Sequence, residues 1–333
     1  MMPAGSTDGS GVMLDPFEDL CVIVPTIGRP QSLRRLLSSL AAQSVRVKEV
    51  VVADGSETGE TAGVTSDPCW MTAGLAVRRI RVRPPHAVRQ REAAIAASTG
   101  ELLLFVDDDV ELEVGCIAEM VHVIRRDPSV VAVTADFSNQ GWSQPTRAWR
   151  AYLRIVHGLK DGEWQGRVVG PLLRYGYDPV PPEAITIEWL GTCNSLVRRA
   201  AFEEAGGFSG FFLHRSTMNE DVDLGLKLAR VGSIVFCPKA RMAHYHDPSG
   251  RVSAYQAAED DLHNRYCVLQ VTMGKTRFRS FGLVVVFAIV ETMSGLAWCA
   301  VRGTGGFALF SRTQGRIRAM VSILARFHGV QSP

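Results

Sequence analysis

The sequence lacks the cysteine patterns that indicate disulfides or a structural zinc site. Its seven cysteines are scattered over 333 residues, with no C-x-x-C pair and no group of cysteines and histidines at zinc-ligand spacing. Scattered cysteines in a chain of this length are typical of buried apolar residues in a reducing compartment. We therefore expect a protein on the cytoplasmic side, without a disulfide framework.

The first 18 residues contain neither lysine nor arginine, and they have no long apolar run. A secretory signal peptide needs both features, so we expect residues 1–18 to be a disordered lead-in. The remaining composition, with 46% apolar and 21% charged residues overall, excludes a disordered or low-complexity protein.

The net charge of +2 conceals an uneven distribution along the chain. Residues 262–333 carry nine basic residues and one acid, a net +8, which leaves −6 for residues 1–261. This contrast predicts a globular domain over residues 19–261 and a basic, apolar, helical tail over residues 262–333.

Apolar runs separated by helical patterns predict an α/β fold with a mostly parallel, doubly wound sheet. Residues 20–25 (LCVIVP), 49–53 (EVVVA) and 101–106 (ELLLFV) are typical of strands buried on both faces, and residues 77–82 predict a shorter strand. Residues 137–182 lack a clear period, apart from a predicted helix near 147–157, and we interpret them as an insertion that shapes a binding face.

Polar clusters follow three of the predicted strands: residues 25–29 (PTIGR), 54–56 (DGS) and 107–109 (DDD). In doubly wound sheets, ligands bind beyond the carboxyl ends of the strands, so we expect the three clusters to lie at one edge. Asp107 and Asp109 could then share a cation, and their hard oxygen ligands favour Mg²⁺ or Mn²⁺. The alternative is a solvated acidic turn.

Single residues near these clusters have a functional and a structural interpretation. Asp54 could bind a ribose or a base edge, or could cap its turn. Arg29 and Arg91 could bind a diphosphate through their guanidinium forks, although Arg91 could equally lie at the surface.

Two further segments are chemically suggestive. Residues 219–223 (NEDVD) fit an ordinary helix N-terminus, but Asp221 there could also remain ionised as a general base. His244 and His246, two residues apart after a predicted strand, could complete a metal shell.

In combination, these motifs resemble the inverting family-2 glycosyltransferases, which have an A-type nucleotide-diphospho-sugar transferase fold. The ordered set is VIVPTIGRP, EVVVADGS, Arg91 before Gly100-Glu101, LLLFVDDDV, GTCNSLVRR with GGF, NEDVDLGLKLARVG and ARMAHYH, and it covers about residues 20–265. The resemblance implies an enzyme that transfers a sugar from a nucleotide-diphosphate donor to a hydroxyl of a glycan or lipid-linked acceptor. A cell-surface polysaccharide or glycolipid would be the product.

The resemblance also implies a role for each matching residue. The nucleotide-sugar-binding residues would be Pro25, Thr26, Arg29, Asp54, Arg91, Asp107 and Asp108. The metal, Mg²⁺ or Mn²⁺, would be held by Asp109 with Asp107 and by His244 or His246. Asp221, paired with Glu220, matches the general base, and Gly191 and Asn194 match the loop that borders the sugar and the acceptor.

Departures from the family pattern affect the details. Glu92 stands where an asparagine usually follows the arginine, and Ile27 and Gly28 replace an aromatic residue and an asparagine. No Q-x-x-R-W motif follows Asp221, so we expect transfer of one sugar rather than processive synthesis.

Two other functions fit parts of the sequence. A sugar-phosphate nucleotidyltransferase would need a glycine-rich basic loop after the first strand, but PTIGRP has one glycine. A catalytically silent, membrane-docked scaffold would normally have lost one of Asp107, Asp109 and Asp221.

The tail has the pattern of helices that bind anionic membranes. Residues 281–301 are long enough to span a bilayer, but Glu291 at their centre would cost about 2–3 kcal/mol at the midplane. Residues 317–327 add an amphipathic stripe flanked by arginines. We favour a surface or re-entrant position at the inner face of the cell membrane over a true span or a soluble helical layer. Nucleic acid is not an expected partner, because the basic residues surround apolar stripes.

Overall fold

The structure, a computed structural model, describes residues 17–247 and 252–327. The predicted lead-in lies almost entirely outside the described residues, and the first strand begins at Phe17. The strands are β1 Phe17–Thr26, β2 Arg46–Asp54, β3 Val77–Arg81, β4 Leu102–Val106, β5 Val110–Leu112, β6 Val130–Phe137, β7 Val168–Val169, β8 Leu173–Arg174, β9 Ile185–Ile187, β10 Asn194–Arg198 and β11 Ser233–His244. The α-helices are α1 Pro30–Ala41, α2 Glu60–Thr65, α3 Cys69–Thr72, α4 Ala87–Ala97, α5 Cys116–Arg126, α6 Arg147–His157, α7 Arg199–Glu204, α8 Glu220–Leu228, α9 Ala254–Cys267, α10 Arg277–Arg302 and α11 Gly306–Phe327.

The predicted α/β architecture is confirmed, with helices on both sides of a central sheet. Strands β3, β2, β1 and β4 lie side by side and run parallel, as the alternation of strands and helices indicates. Residues 20–24 of β1 and 102–106 of β4 are completely buried, which is why both read as unbroken apolar runs.

Beyond β4 the sheet becomes mixed, so that four of the eight strand pairings described for this central sheet are parallel. Strand β10 lies antiparallel between β4 and β6, and β11 pairs antiparallel with β5 and β9. The expectation of a mostly parallel sheet therefore holds for the N-terminal half only. An apolar run has the same appearance in either direction, so the sequence does not reveal the reversal.

The C-terminal helices are packed onto the sheet domain rather than set apart from it. Helix α9 runs through the predicted boundary at residue 261. Leu262, Val284 and Ile323 are completely buried, in the same apolar cluster as Ile23 and Phe105 of the sheet. Domain and tail therefore share a continuous core.

Helix α10 is long and apolar enough to cross a membrane, judged by length and composition alone, which is a weak indication of a span. Its central acid, Glu291, accepts a hydrogen bond from Trp149 Nε1 at 2.7 Å and lies 3.8 Å from Arg316 of α11. The position of this charge within an apolar helix is explained by contacts inside the protein.

Candidate active site

The acidic turn after β4 and the first turn of α8 line a common cleft of about 490 Å³. Pro25, Thr26 and Arg29, from the end of β1 and the loop after it, line the same cleft. Strands β1 and β4 are parallel neighbours, so their carboxyl ends bring these segments together, as predicted for this type of sheet.

Asp108 is one of two buried carboxylates in the acidic turn. Thr26 Oγ1 donates a hydrogen bond to it at 2.6 Å, and Arg29 Nη1 lies 3.2 Å from its second oxygen. Burial raises the pKa of Asp108 to about 7, against the opposing effects of Thr26 and Arg29. Because Asp108 and Asp109 are only 2% and 3% exposed, the turn is not the solvated acidic turn that the sequence left open.

Asp107, Asp109 and His244 form a cluster whose ligand atoms all lie within 4.8 Å of one another. His244 Nε2 is 3.1 Å from Asp109 Oδ1, and the backbone N–H of Asp247 donates to Asp109 Oδ2 at 2.8 Å. Burial alone would raise the pKa of Asp109, but His244 and the Asp247 N–H outweigh it and lower that pKa. Two carboxylates and one imidazole are a donor set that suits a divalent cation such as Mn²⁺.

The two histidines of the AHYH motif have different environments. His246 is exposed and contacts Gln140 Oε1 at 2.8 Å, with a backbone φ of 54°. His244 pairs with Asp109, so in the described part of the chain the structure brings His244, and not His246, to the acidic cluster.

Arg91 connects the acidic turn to the helix that carries the predicted base. Its Nη2 donates to Asp107 at 2.7 Å and its Nη1 to Glu220 at 3.2 Å, and the side chain is 3% exposed. Burial lowers the pKa of Arg91, but Asp107 and Glu220 outweigh this and the net effect is a raised pKa. Arg91 is therefore a buried bridge, and not a surface residue.

Glu220 is buried beside Asp221 and accepts a hydrogen bond from Thr192 Oγ1 at 3.0 Å. Burial, together with the neighbouring charge of Asp221, raises the pKa of Glu220 to about 7 despite the attraction of Arg91. Carboxyl groups whose pKa is shifted this far towards neutral pH are often found at functional sites.

Asp221 begins α8 together with Glu220, and it lines the main cleft and two further cavities. Arg174 Nη2 of β8 lies 2.9 Å from its Oδ2, and the N–H of Val222 donates to its Oδ1 at 2.8 Å. The sequence reasoning missed Arg174, because it lies in the irregular segment 137–182, where no periodic pattern indicates its orientation.

The loop that precedes α8 is fastened by α9, which the sequence reasoning also missed. Asn264 Nδ2 donates to the carbonyls of Ser216 and Met218 at 2.8 and 2.9 Å. The side chain of Asn219, a left-handed residue with φ of 71°, donates to Asp261 at 2.8 Å and does not cap α8. Residues 219–223 thus contain the start of a helix as expected, but the Asn219 side chain makes a tertiary contact there and not a cap.

Gly191, in the loop before β10, lies against Asn194, the first residue of that strand, and both line a cavity of about 350 Å³ together with Asp221. A Cβ on Gly191 would lie 2.4 Å from Asn194 Oδ1, so a larger residue would displace the buried amide. Asn194 Nδ2 donates to the Ala135 carbonyl at 2.7 Å, which fixes β10 against β6.

Asp54, a predicted nucleotide-binding residue, has its carboxylate hydrogen-bonded within the protein. Its carboxylate is completely buried and accepts hydrogen bonds from Arg79 Nη1 and the Ser56 N–H, both at 2.8 Å. Nearby, the buried amide of Gln90 donates to the carbonyls of Thr26 and Ala53 at the ends of β1 and β2. A contact between Asp54 and a base or ribose stays a prediction.

Comparison with known proteins agrees with this geometry. The model of the family "Glycosyl transferase family 2" matches residues 21–206, more than half of the chain. The chain belongs to glycosyl transferase family 2. The family resemblance and the prediction that the protein is a glycosyltransferase are therefore confirmed.

Among curated relatives, the chain is 28% identical over 244 residues to the O-antigen biosynthesis protein RfbC of Myxococcus xanthus, covering 72% of this chain and 18% of that protein. It therefore spans about a fifth of that relative. It is also 25% identical over 261 residues to the N-acetylglucosaminyl-diphospho-decaprenol L-rhamnosyltransferase of Mycobacterium tuberculosis, covering 71% of this chain and 81% of that enzyme.

Two solved structures share the fold. GalNAc-T7 with UDP, GalNAc and Mn²⁺ matches with a TM-score of 0.54 and 14% identity, over 76% of this chain and 47% of that one. Mannosyltransferase PcManGT from Pyrobaculum calidifontis, in complex with GDP-Man and Mn²⁺, has the same TM-score and identity over 94% of this chain and 88% of that one. These likenesses confirm the predicted A-type glycosyltransferase architecture.

Proposed function

We propose that this chain is an inverting, divalent-metal-dependent glycosyltransferase. It would transfer one sugar from a nucleotide-diphosphate donor to a hydroxyl of a glycan or lipid-linked acceptor in the synthesis of a cell-surface polysaccharide or glycolipid. The observation that carries the proposal is one cleft whose walls include both the acidic turn of the metal cluster and the Glu220–Asp221 pair.

The metal cluster and the base divide the chemistry between them. Asp107, Asp109 and His244 would hold Mg²⁺ or Mn²⁺, which when bound would offset the charge of the departing nucleoside diphosphate. Asp221 takes the proton from the acceptor hydroxyl as that oxygen attacks the anomeric carbon, and a single displacement inverts that centre. One base carboxylate suffices, unlike the two flanking carboxylates of glycosidases.

Other residues of the site orient these groups. Arg91 ties Asp107 to Glu220, so the acidic turn and the start of α8 keep a fixed relation. Arg174 donates to one oxygen of Asp221 and the Val222 N–H to the other, which holds the carboxylate in one orientation. Pro25, Thr26 and Arg29 form the part of the cleft that we assign to the nucleotide.

The names of related proteins support the substrate classes. GalNAc-T7 and PcManGT were solved with nucleotides or nucleotide sugars and Mn²⁺, and the mycobacterial relative is named for a diphospho-decaprenol acceptor. We propose a donor and an acceptor of these general kinds here, with the sugars left open.

The tail supports a position at the inner face of the cell membrane. Helices α10 and α11 expose large apolar side chains, among them Met293, Trp298, Phe307 and Phe310, which are between 53% and 87% exposed. Exposed apolar surface beside arginines fits an anionic lipid surface. We propose that these helices lie on the membrane and bring the active site close to a lipid-linked acceptor.

Nucleotide-sugar binding tests the proposal directly. In a thermal-shift panel of UDP-, dTDP- and GDP-sugars with and without Mn²⁺, we expect at least one donor to stabilise the full chain, and more strongly with Mn²⁺. Asp221→Asn should keep that stabilisation and abolish transfer, whereas Asp161→Asn, in an exposed turn after α6, should keep both. Absence of any donor effect, or transfer by Asp221→Asn, would contradict the proposal.

A further inference from the structure

A second cavity, of about 300 Å³, adjoins the predicted base. Thr217, Glu220 and Asp221 line both this cavity and the main cleft, so the base stands between two chambers. The second chamber is otherwise built from segments outside the family match or in the irregular insertion, including Tyr175 and, on α10, Glu291. We refer to it as the rear cavity.

Carboxylates dominate the walls of the rear cavity. Four of its lining residues are acidic, namely Glu220, Asp221, Asp261 and Glu291, and two are basic, Arg174 and Arg265. Because the pKa of Glu220 is raised to about 7, the excess of negative charge at neutral pH comes mainly from the other three carboxylates against the two arginines. This excess repels phosphate and carboxylate groups and favours hydroxyl donors.

Both arginines of the rear cavity are already engaged by the protein. Arg174 pairs with Asp221 at 2.9 Å. Arg265 Nε donates to Asp261 at 3.0 Å, its Nη1 donates to the carbonyls of Pro171 and Leu172 at 2.8 and 3.0 Å, and its guanidinium lies 3.9 Å from the Phe287 ring centroid. The Arg265 guanidinium is therefore not presented as a fork for an anionic ligand, and Arg174 has one nitrogen already paired with Asp221.

The other walls suit a sugar ring. Tyr175, which is partly exposed, gives aromatic surface, and the buried Trp149 holds the Glu291 carboxylate at the cavity through its indole N–H. A volume at the lower end of the range for small-molecule pockets, about 300–1,000 Å³, suits one ring better than an oligosaccharide. Carboxylates that accept hydroxyl hydrogen bonds, beside aromatic faces, are chemistry that matches an uncharged sugar.

We propose that the rear cavity binds one uncharged sugar ring of the acceptor, with Glu291 of α10 accepting hydrogen bonds from its hydroxyl groups. The inference rests on the proposed function, because it places the attacking hydroxyl beside Asp221. It makes the C-terminal helices part of substrate recognition as well as a membrane contact. The neighbours of Glu291 on α10, Ile289 and Met293, are 57% and 59% exposed, so the apolar outer surface begins next to this wall.

Charge discrimination tests the proposal. We would measure binding of para-nitrophenyl glycosides of glucose, galactose, N-acetylglucosamine and rhamnose to the full chain by saturation-transfer NMR, beside the glucuronide and galacturonide. We expect at least one neutral glycoside to bind, and at least about tenfold more tightly than either uronide, since an added carboxylate would face the acidic wall.

Variants assign the effect to the rear cavity. Glu291→Gln keeps an oxygen that accepts the Trp149 N–H but loses the charge. It should therefore lower the affinity for the neutral glycoside about tenfold and reduce the ratio of the neutral-glycoside affinity to the uronide affinity. Tyr175→Leu removes the aromatic face of the cavity and should weaken binding of the neutral glycoside too, which covers the case that Glu291→Gln fails to fold. Glu183→Gln, which removes a carboxylate that is 77% exposed on the surface, is the matched control and should bind as the wild type does.

The outcomes separate this inference from the proposed function. If a nucleotide sugar stabilises the same samples but no neutral glycoside binds, or the uronides bind equally well, the assignment of the rear cavity is wrong and the donor site stands. If glycosides bind with the expected discrimination but no nucleotide sugar does, the sugar site stands and the transferase proposal is wrong.

Discussion

Glu220 allows a measurement of how much stability the candidate active site costs the fold. Burial and the charge of Asp221 raise its pKa from 4.5 to about 7, with the attraction of Arg91 already included. The folded protein therefore holds this proton more tightly than the unfolded chain does. The free energy of unfolding should consequently fall as the pH rises through this interval, between about 4.5 and about 7.

Glu220→Gln removes the ionisation and keeps the shape of the side chain. The gap between the two pKa values corresponds to a destabilisation of about 3 kcal/mol at full ionisation, at about 1.36 kcal/mol per pKa unit. We therefore expect wild type and variant to be about equally stable at pH 4, and the variant to be more stable by up to about 3 kcal/mol at pH 8. The amide oxygen can still accept the Thr192 hydroxyl hydrogen bond.

Urea unfolding of the full chain in non-ionic detergent, at one-unit steps between pH 4 and pH 8, measures this difference. Other groups that titrate in the interval, such as Asp108 and His263, are present in both proteins and cancel in the comparison. Glu183→Gln, at the surface, should show no pH-dependent difference. A Glu220→Gln effect of the same size at every pH, or a variant less stable at pH 8 than at pH 4 relative to wild type, would refute the reasoning.

Three further predictions concern the metal cluster and the tail. His244→Ala should weaken Mn²⁺ binding at least about tenfold in calorimetric titration, while His246→Ala should leave it nearly unchanged, since His244 is the histidine of the cluster with Asp107 and Asp109 in the described part of the chain. Trp149→Phe should lower the free energy of unfolding by about 1.5–3 kcal/mol, as the Glu291 carboxylate loses its donor. Phe307→Ser should lower the fraction of protein that floats with phosphatidylglycerol vesicles, and by more than it lowers the fraction that floats with phosphatidylcholine vesicles. Equal flotation of variant and wild type would contradict the membrane contact.

Sequence patterns predicted the half of the fold in which neighbouring strands are close in the chain and parallel. There, an unbroken apolar run means burial on both faces, and the polar residues after Pro25 and Val106 must meet at one edge. The acidic turn and its neighbours could be located for this reason. The direction of β10 could not, because the same apolar residues fill a core strand whichever way it runs.

The contacts that surround the predicted base depend on residues far apart in the chain. Arg174 reaches Asp221 across 47 positions, and Trp149 reaches Glu291 across 142. Neither partner has a local signal, since a lone arginine or tryptophan in an irregular segment has many plausible environments. Glu291 could be recognised as anomalous in an apolar helix, but only the tertiary structure identifies its partners.

The two oppositely charged parts of the sequence are joined at the candidate site rather than assigned to separate tasks. Arg265, in the basic part, forms an ion pair with Asp261 and donates hydrogen bonds to two carbonyls of the insertion. Arg316 lies near Glu291. Removing residues 262–333 would also remove Leu262 and expose the part of the core against which it packs. Such a deletion would therefore affect folding as well as membrane binding. Single substitutions on the outer faces of α10 and α11 are the perturbations that separate the two roles, because those faces would make the proposed membrane contact and do not form the core.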